Sequence, residues 1–286
     1  VYLWRAGYPI NGGTADYAKA AEWAGKVVAT NQHRLNPDLY AIWKCMATDK
    51  YDTEYNESMW EVEFIGNREG DGQGIYTDGR IGNVIGNLQK CTANPGKGYS
   101  YAFYAPTLIL WDLYSAADKR RDVYIAPYQI NNKDVEVAWK DNQIVQRSCG
   151  KFRREWETSS MKHKNYTPEN YPVLRYSDVL LMQAEAENEA NNGPTDKAYK
   201  AINTVRERAG LEALKNLDYA TFQQEVRDER ARELCFESLR KYTINWVLLQ
   251  PTNVGLQEIT SSVQLHTLTT LQTSISSCLS RQESFL

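Results

Sequence analysis

Two helical stripes joined by a four-residue break constrain this chain more than any other feature. Tyr176, Val179, Leu180, Met182, Ala184, Ala186 and Ala190 recur along one broad apolar face, and the pattern stops at Asn191-Asn192-Gly193-Pro194. Thr195 then caps a second stripe of Ala198, Ala201, Ile202, Val205 and Ala209, which Gly210 ends. So short a turn makes the two helices antiparallel neighbours, and the pair spans roughly the 34 residues of one tetratricopeptide unit. A third helix is expected from Thr221-Phe222-Gln223-Gln224, read as a capping box, and carries Val226, Leu234, Phe236 and Leu239.

The first half of the chain alternates order and looseness. Thr14 reads as the cap of an amphipathic helix bearing Tyr17, Ala20, Ala21, Ala24, Val27 and Val28, which Asn31 breaks. From Ser58 to Ile65 apolar residues alternate with polar ones, as in a short extended segment. Nine of the 17 glycines then fall between Gly66 and Ser100, among Asn67, Asp71, Asn83, Asn87, Asn94 and Pro95, so a long irregular excursion is expected. Pro106 is placed as a first helical residue before Leu108, Ile109, Trp111, Leu113 and Tyr114, with the polar run 118–122 closing that helix.

Composition narrows the chemistry. Lys+Arg 33 against Asp+Glu 36 leaves no basic excess to hold a phosphate backbone, so nucleic acid is not an expected partner. Cys45, Cys91, Cys149, Cys235 and Cys278 stand singly, with no C-x-x-C, which predicts reduced thiols and no zinc ribbon. No window holds the roughly 18 apolar residues that a membrane-spanning helix needs. His33, His163 and His266 lack metal-ligand spacing and have no nucleophilic motif beside them. Glu185, Glu187 and Glu189 are read as a solvated helix face rather than a glycosidase carboxylate pair. The run Asp49, Asp52, Glu54, Asn56 and Glu57 lacks the spacing of a calcium loop and is read as a surface charge cluster. Nothing in Gly66 to Gly74 matches a phosphate-cradling loop. No cofactor and no metal are expected.

The stretch Tyr171-Pro172-Val173-Leu174-Arg175-Tyr176, leading into Leu180-Leu181-Met182-Gln183-Ala184-Glu185-Ala186, resembles the signature of the SusD/RagB family. The resemblance continues through Ile202-Asn203-Thr204-Val205-Arg206-Glu207-Arg208-Ala209-Gly210 and through Glu229-Arg230-Ala231-Arg232-Glu233-Leu234-Cys235-Phe236-Glu237. Weaker matches upstream extend it over roughly residues 1 to 242. It implies a mostly α fold, an α-α superhelix of tetratricopeptide-like helix pairs beside a loop-rich irregular half. The expected segments are a helical scaffold at 1–65, a loop-rich ligand-binding region at 66–165, a C-terminal helical scaffold at 166–242 and an atypical tail at 243–286. The resemblance further implies a lipoprotein of the outer membrane of Bacteroidota, at the cell surface, anchored by a lipid upstream of Val1. Its expected partners are a glycan or oligosaccharide and a SusC-like TonB-dependent outer-membrane transporter that receives the glycan uncleaved.

The start at Val1-Tyr2-Leu3-Trp4 reads as the interior of a longer protein. Residues 243–286 carry only Glu258, Arg281 and Glu283 as charges and no tyrosine, against 19 earlier, and depart from the family pattern. We read this tail as a shifted reading frame, because codons for Ser276 to Arg281 read from their third base permit Leu-Pro-Ile-Pro, a family ending.

Glycan capture needs flat apolar faces to stack on sugar CH groups and polar fingers for the hydroxyls, both on exposed loops. Tyr76, Tyr99, Tyr101 and Tyr104 are the aromatic candidates, with Asn67, Arg68 and Asp71 as polar partners. For any one tyrosine, packing against the helix after Pro106 is the weightier alternative. Trp139 and Trp156 rank behind them, and Trp111 is assigned to core. Arg175, Arg206, Arg208, Arg230 and Glu233 are assigned to buried or interhelical ion pairs, since guanidinium groups suit fixed bidentate pairing. A peptide-binding helical-repeat scaffold is the alternative function, and a carbohydrate-active enzyme is the weaker one.

Overall fold

The computed structural model describes residues 2–3, 13–64, 78–92, 96–158 and 162–238, all within the compact unit Val1–Lys241. Asn67, Arg68, Asp71, Tyr76, Cys278, His266 and the tail from 243 lie outside the described residues. Helix α1 (Gly13–Ala29) buries the small residues Ala20, Ala21 and Ala24, which permits close approach to a partner helix. The short α2 (Ala41–Ala47) follows, its Ile42, Trp43 and Met46 wholly inside. Strand β1 (Ser58–Val62) occupies the alternating segment as expected.

Where it is described, at 78–92 and 96–100, the glycine-rich region is more ordered than its composition predicts. Its described part holds α3 (Ile81–Ile85), β2 (Gln89–Lys90) and β3 (Tyr99–Ser100). Tertiary hydrogen bonding supplies what propensity lacks: β2 lies between β3 and β4 (Tyr128–Ile130), with β5 (Glu136–Ala138) outermost, in the order β3-β2-β4-β5. Helix α4 (Leu108–Asp112) has five residues, is capped by Thr107 rather than begun by Pro106, and buries none of them. Leu108 and Ile109 stand exposed, and Trp111 sits half-buried between the guanidinium groups of Arg121 and Arg147, at 4.9 and 4.6 Å. Trp111 is therefore not core, and the run 118–122 opens α5 (Arg121–Tyr124) instead of closing α4.

The last third forms as its pattern predicts. Strand β6 (Tyr171–Arg175) pairs antiparallel with β1 and runs directly into α6 (Tyr176–Asn191). Asn192, at φ 51°, makes the left-handed exit, and Thr195 accepts from Ala198 N to start α7 (Asp196–Arg208). Helix α8 (Tyr219–Glu233) begins one turn-half earlier than the capping box placed it, because Asp218 accepts from Thr221 N. Helix α6 touches α1, α7 and α8, so its apolar residues, with Ala198, Ile202, Val205, Phe222 and Val226, form one core. For the same reason the Glu185/Glu189 side is not solvated: Tyr219 Oη donates to Glu189 at 2.7 Å, and Glu185 faces Arg230 at 3.9 Å.

Between these helices and the rest lies a chain of buried charges. Arg175 reaches Glu57 at 2.9 Å, Glu233 at 3.2 Å and Glu237 at 2.8 Å. Arg208 also holds Glu57 and Glu233, and Arg120 bridges Asp118 at 2.7 Å, Glu229 at 2.6 Å and Glu233 at 3.1 Å. Lys151 closes the far end on Glu237. Arg206 pairs with Glu229 and Arg230 with Asp178, so all five assigned ion-pair residues are in such pairs. Glu57 is fully buried here, which corrects the surface reading of the 49–57 run at that residue, while Glu54 and Asn56 stay exposed. Burial alone would raise the Glu233 carboxyl, but Arg208, Arg175 and Arg120 outweigh it and hold the group well below the usual carboxylate range.

That depressed value means stability present above pH 4.5 that is lost as pH falls through the folded-state value, so this contribution fails only in strong acid. Glu233→Ala would leave buried guanidinium groups short of a counter-charge, and should cost about 3–5 kcal/mol in urea unfolding. A loss below about 1 kcal/mol would show that the network is dispensable.

Candidate ligand-binding surface

After β3 the chain runs on extended beside α3. Tyr101 N donates to Asn83 O and Phe103 N to Val84 O, each at 2.8 Å. An extended chain puts alternate side chains on one side. Tyr99 and Tyr101 follow this rule, and Phe103 joins them in a row across a break in the extended run at Ala102. The Tyr99 and Tyr101 rings meet edge-on at 5.0 Å, while Tyr101 and Phe103 lie 5.3 Å apart and only 11° from parallel. Phe103 is 63% exposed. Ala102, between the two parallel rings, is left-handed at φ 52°, a strain of about 1–3 kcal/mol of the kind concentrated at ligand sites.

Tyr104 has the opposite parity and the opposite fate. It packs on the core cluster of Trp43, Tyr124 and Phe152, and burial raises its hydroxyl pKa. Sequence reasoning grouped it with Tyr99 and Tyr101; the structure separates them. Trp156 likewise lies against Tyr40, edge-on at 6.0 Å, and under Arg153 at 5.1 Å. Trp139 is half-buried beside β4, its backbone N–H donating to Pro127 O.

A second loop, 162–167, stands beside the row. Tyr101 Oη donates to Asn165 Oδ1 at 3.2 Å, and the Lys164 ammonium lies 4.8 Å over the Tyr99 ring. Beneath both, the wholly buried Arg154 ties strand to loop. Its Nη1 donates to Tyr99 O at 2.8 Å and His163 O at 2.9 Å, and its Nη2 to Tyr166 O at 2.8 Å. Glu157 neutralises it at 2.6 Å. Gly98, left-handed at φ +96°, is where β3 passes closest: a Cβ there would meet Arg154 Cβ at 3.2 Å. Phe103, Arg154, Lys164 and Asn165 were not among the predicted site residues. Only Phe103 had a readable signal, its even spacing from Tyr99 and Tyr101.

Under the loop lies a carboxyl group that the hydrogen bonds require to be protonated. The Thr167 hydroxyl is 2.8 Å from Glu157 Oε1 and 3.2 Å from Glu169 Oε2, yet has one proton to give. Glu169 Oε1 has no partner among the described residues, and a Cβ at Gly82 would fall 1.3 Å from Oε2, so the group is enclosed. A proton on Glu169, donated to Thr167 Oγ1, satisfies both contacts. Burial and then the Glu157 charge push its pKa up to about 8. A folded-state value above the ordinary 4.5 means that stability is full at low pH and declines as pH rises from about 4.5 to about 8. Glu169→Gln keeps the shape, so its melting temperature should sit close to wild type at pH 5 and exceed it by several degrees at pH 8. Calorimetry across that interval checks this, and a gap that does not change with pH contradicts a protonated Glu169.

Among the described residues no group of three or more His, Cys, Asp or Glu side chains could hold a metal ion, and Cys45, Cys91, Cys149 and Cys235 are free thiols. No helix among them is long and apolar enough to cross a membrane.

A family model described as the SusD family matches residues 128–244. SusD-like protein P25 of Formosa agariphila is 45% identical over 289 residues, covering 82% of this chain and 51% of that protein. SusD-like protein P2 of the same organism is 28% identical over 247 residues, covering 80% and 46%. The chain thus spans about half the length of the curated relatives it matches. A SusD homologue from Bacteroides thetaiotaomicron superposes with a TM-score of 0.72 at 28% identity, covering 86% of this chain and 50% of that one. Surface glycan-binding protein A from Bacteroides thetaiotaomicron, in complex with laminarihexaose, shares the fold at a TM-score of 0.59 and 18% identity, over 82% of this chain and 50% of that one. Motifs, relatives and fold agree: this chain belongs to the SusD/RagB family.

Proposed function

We propose that this protein captures glycans or oligosaccharides at the cell surface and delivers them, uncleaved, to a SusC-like TonB-dependent outer-membrane transporter. The observation that carries this reading is the row of Tyr99, Tyr101 and Phe103, with two rings nearly parallel and Phe103 open to solvent. The stack leaves the exposed Phe103 ring, backed by Tyr101, as an apolar platform for a sugar ring, and Asn165 beside Tyr101 offers an amide for hydroxyl groups. The laminarihexaose bound by the glycan-binding relative is the kind of ligand such a row would take. In this reading the helices at 1–65 and 166–242 are the frame, 66–165 carries the site, and a lipid upstream of Val1 anchors the protein to the outer membrane. Asn67, Arg68, Asp71 and Tyr76 are kept as proposed contacts on the same excursion.

An array of neutral and charged oligosaccharides tests the reading, and turnover of any of them would overturn the non-enzymatic part. Each ring face loses about 50 Å² of apolar contact on truncation, or roughly 1 kcal/mol. Tyr101→Ala with Phe103→Ala should therefore weaken the best glycan about thirtyfold by calorimetric titration, at roughly 2 kcal/mol. Tyr104→Ala, by contrast, should lower the melting temperature and leave the affinity of the folded protein unchanged. Undiminished binding by the double variant would remove this surface from the function.

A further inference from the structure

We propose that the glycan taken at this surface is anionic, bearing carboxylate or sulfate ester groups that Lys162 and Lys164 recognise. The inference rests on the glycan-capture reading and deepens it. Lys164 holds its ammonium over the face of Tyr99, at the end of the aromatic row. Lys162 lays its stem along the same strand, with its Cδ 3.4 Å from where a Cβ at Gly98 would stand. Neither ammonium is ion-paired to a carboxylate among the described residues, a state they share with other lysines such as Lys133 and Lys215; what sets this pair apart is its place beside Tyr99 and Gly98.

The acids nearest to Lys162, Glu157, Glu155 and Asp134, still favour its charged form, but each has another hydrogen-bonding partner. Glu157 is held by Arg154 and Thr167, and Glu155 by Gln89 and Tyr128. Asp134 accepts from Lys97 N, and Glu136 pairs with Lys97 Nζ. The backbone adds to this bias. Carbonyls that would repel an anion at the edge of the row, those of Tyr99, His163, Lys164 and Tyr166, all point inward onto Arg154. What stands beside the rings is the exposed Lys164 ammonium and the Asn165 amide, with the half-buried Lys162 behind them against Gly98. Half-burial of Lys162 disfavours its charged form, a penalty that an incoming anion would relieve. In a chain with formal net charge -3 this is a local feature, made by folding rather than by composition.

The test compares matched ligands on the full chain by calorimetric titration: oligogalacturonate against its carboxyl-reduced form, and dextran sulfate against dextran. At least one anionic member should bind ten times or more tighter than its neutral counterpart, which also tells carboxylate from sulfate. Lys162→Gln with Lys164→Gln should erase that difference, as should raising the salt from 50 to 500 mM, because exposed charges are then screened. Tyr101→Ala with Phe103→Ala should weaken the anionic ligand too. Equal loss from Lys133→Gln with Lys215→Gln would mean nonspecific polyanion binding and overturn the proposal. Neutral glycans bound as tightly, with the aromatic row still required, would overturn the charge preference and leave glycan capture standing. No binding to any glycan, charged or neutral, would remove both.

Discussion

The buried ion network is the constraint on which the rest of the structure depends. Arg175, at the end of β6 and the start of α6, meets Glu57 from β1, Glu233 from α8 and Glu237 beyond it. Arg208 brings the end of α7 onto two of the same carboxylates, and Arg120 and Lys151 bring in the loop-rich half. Such charges are tolerated out of water only when every partner is present. The network therefore ties the two halves into one arrangement in a way that interchangeable apolar contacts do not. Arg175, Arg208, Glu229, Glu233 and Glu237 lie within the family motifs, and their positions explain the motif: the Arg-Tyr entry and the Glu-rich helix are two sides of one electrostatic contact.

The ligand surface repeats the same device on a smaller scale. One buried guanidinium, Arg154, gathers backbone carbonyls from β3 and from the 162–167 loop, and Glu157 neutralises it. The aromatic row and the polar loop are thereby set at fixed separation without either being part of a long helix or strand. Pre-ordering of this kind lowers the entropy lost when a flexible oligosaccharide binds. The enclosed Glu169 and Thr167 complete the floor beneath the loop.

Much of the frame was legible in the chain, because its signals are local. Helical periodicity, a cap at Thr195 and the Asn192-Gly193 exit each act within a few residues, and α6 and α7 formed where those signals lie. Where the reading failed, a neighbouring competitor or a distant partner had intervened. Asp218 took the cap assigned to Thr221, a local competition that spacing alone did not rank. Glu57 read as solvated, and the 118–122 run as a helix end, because nothing nearby shows that Arg175, Arg208 and Glu229 arrive from 118, 151 and 109 residues away. The glycine-rich region read as irregular because its order comes from strand pairing across the sheet, not from propensity.

By itself, then, the sequence determined the helix pair, its family motif and the concentration of tyrosines near residue 100, all consequences of short-range pattern. Only the tertiary structure decided which aromatic side chains face water. Tyr101 and Phe103 stack on each other across the left-handed Ala102, while Tyr104 packs on the core, because burial depends on what packs behind each side chain and not on its spacing along the chain. The same holds for charge: whether a lysine is neutralised or left facing outward is settled by the carboxylates that folding brings near it.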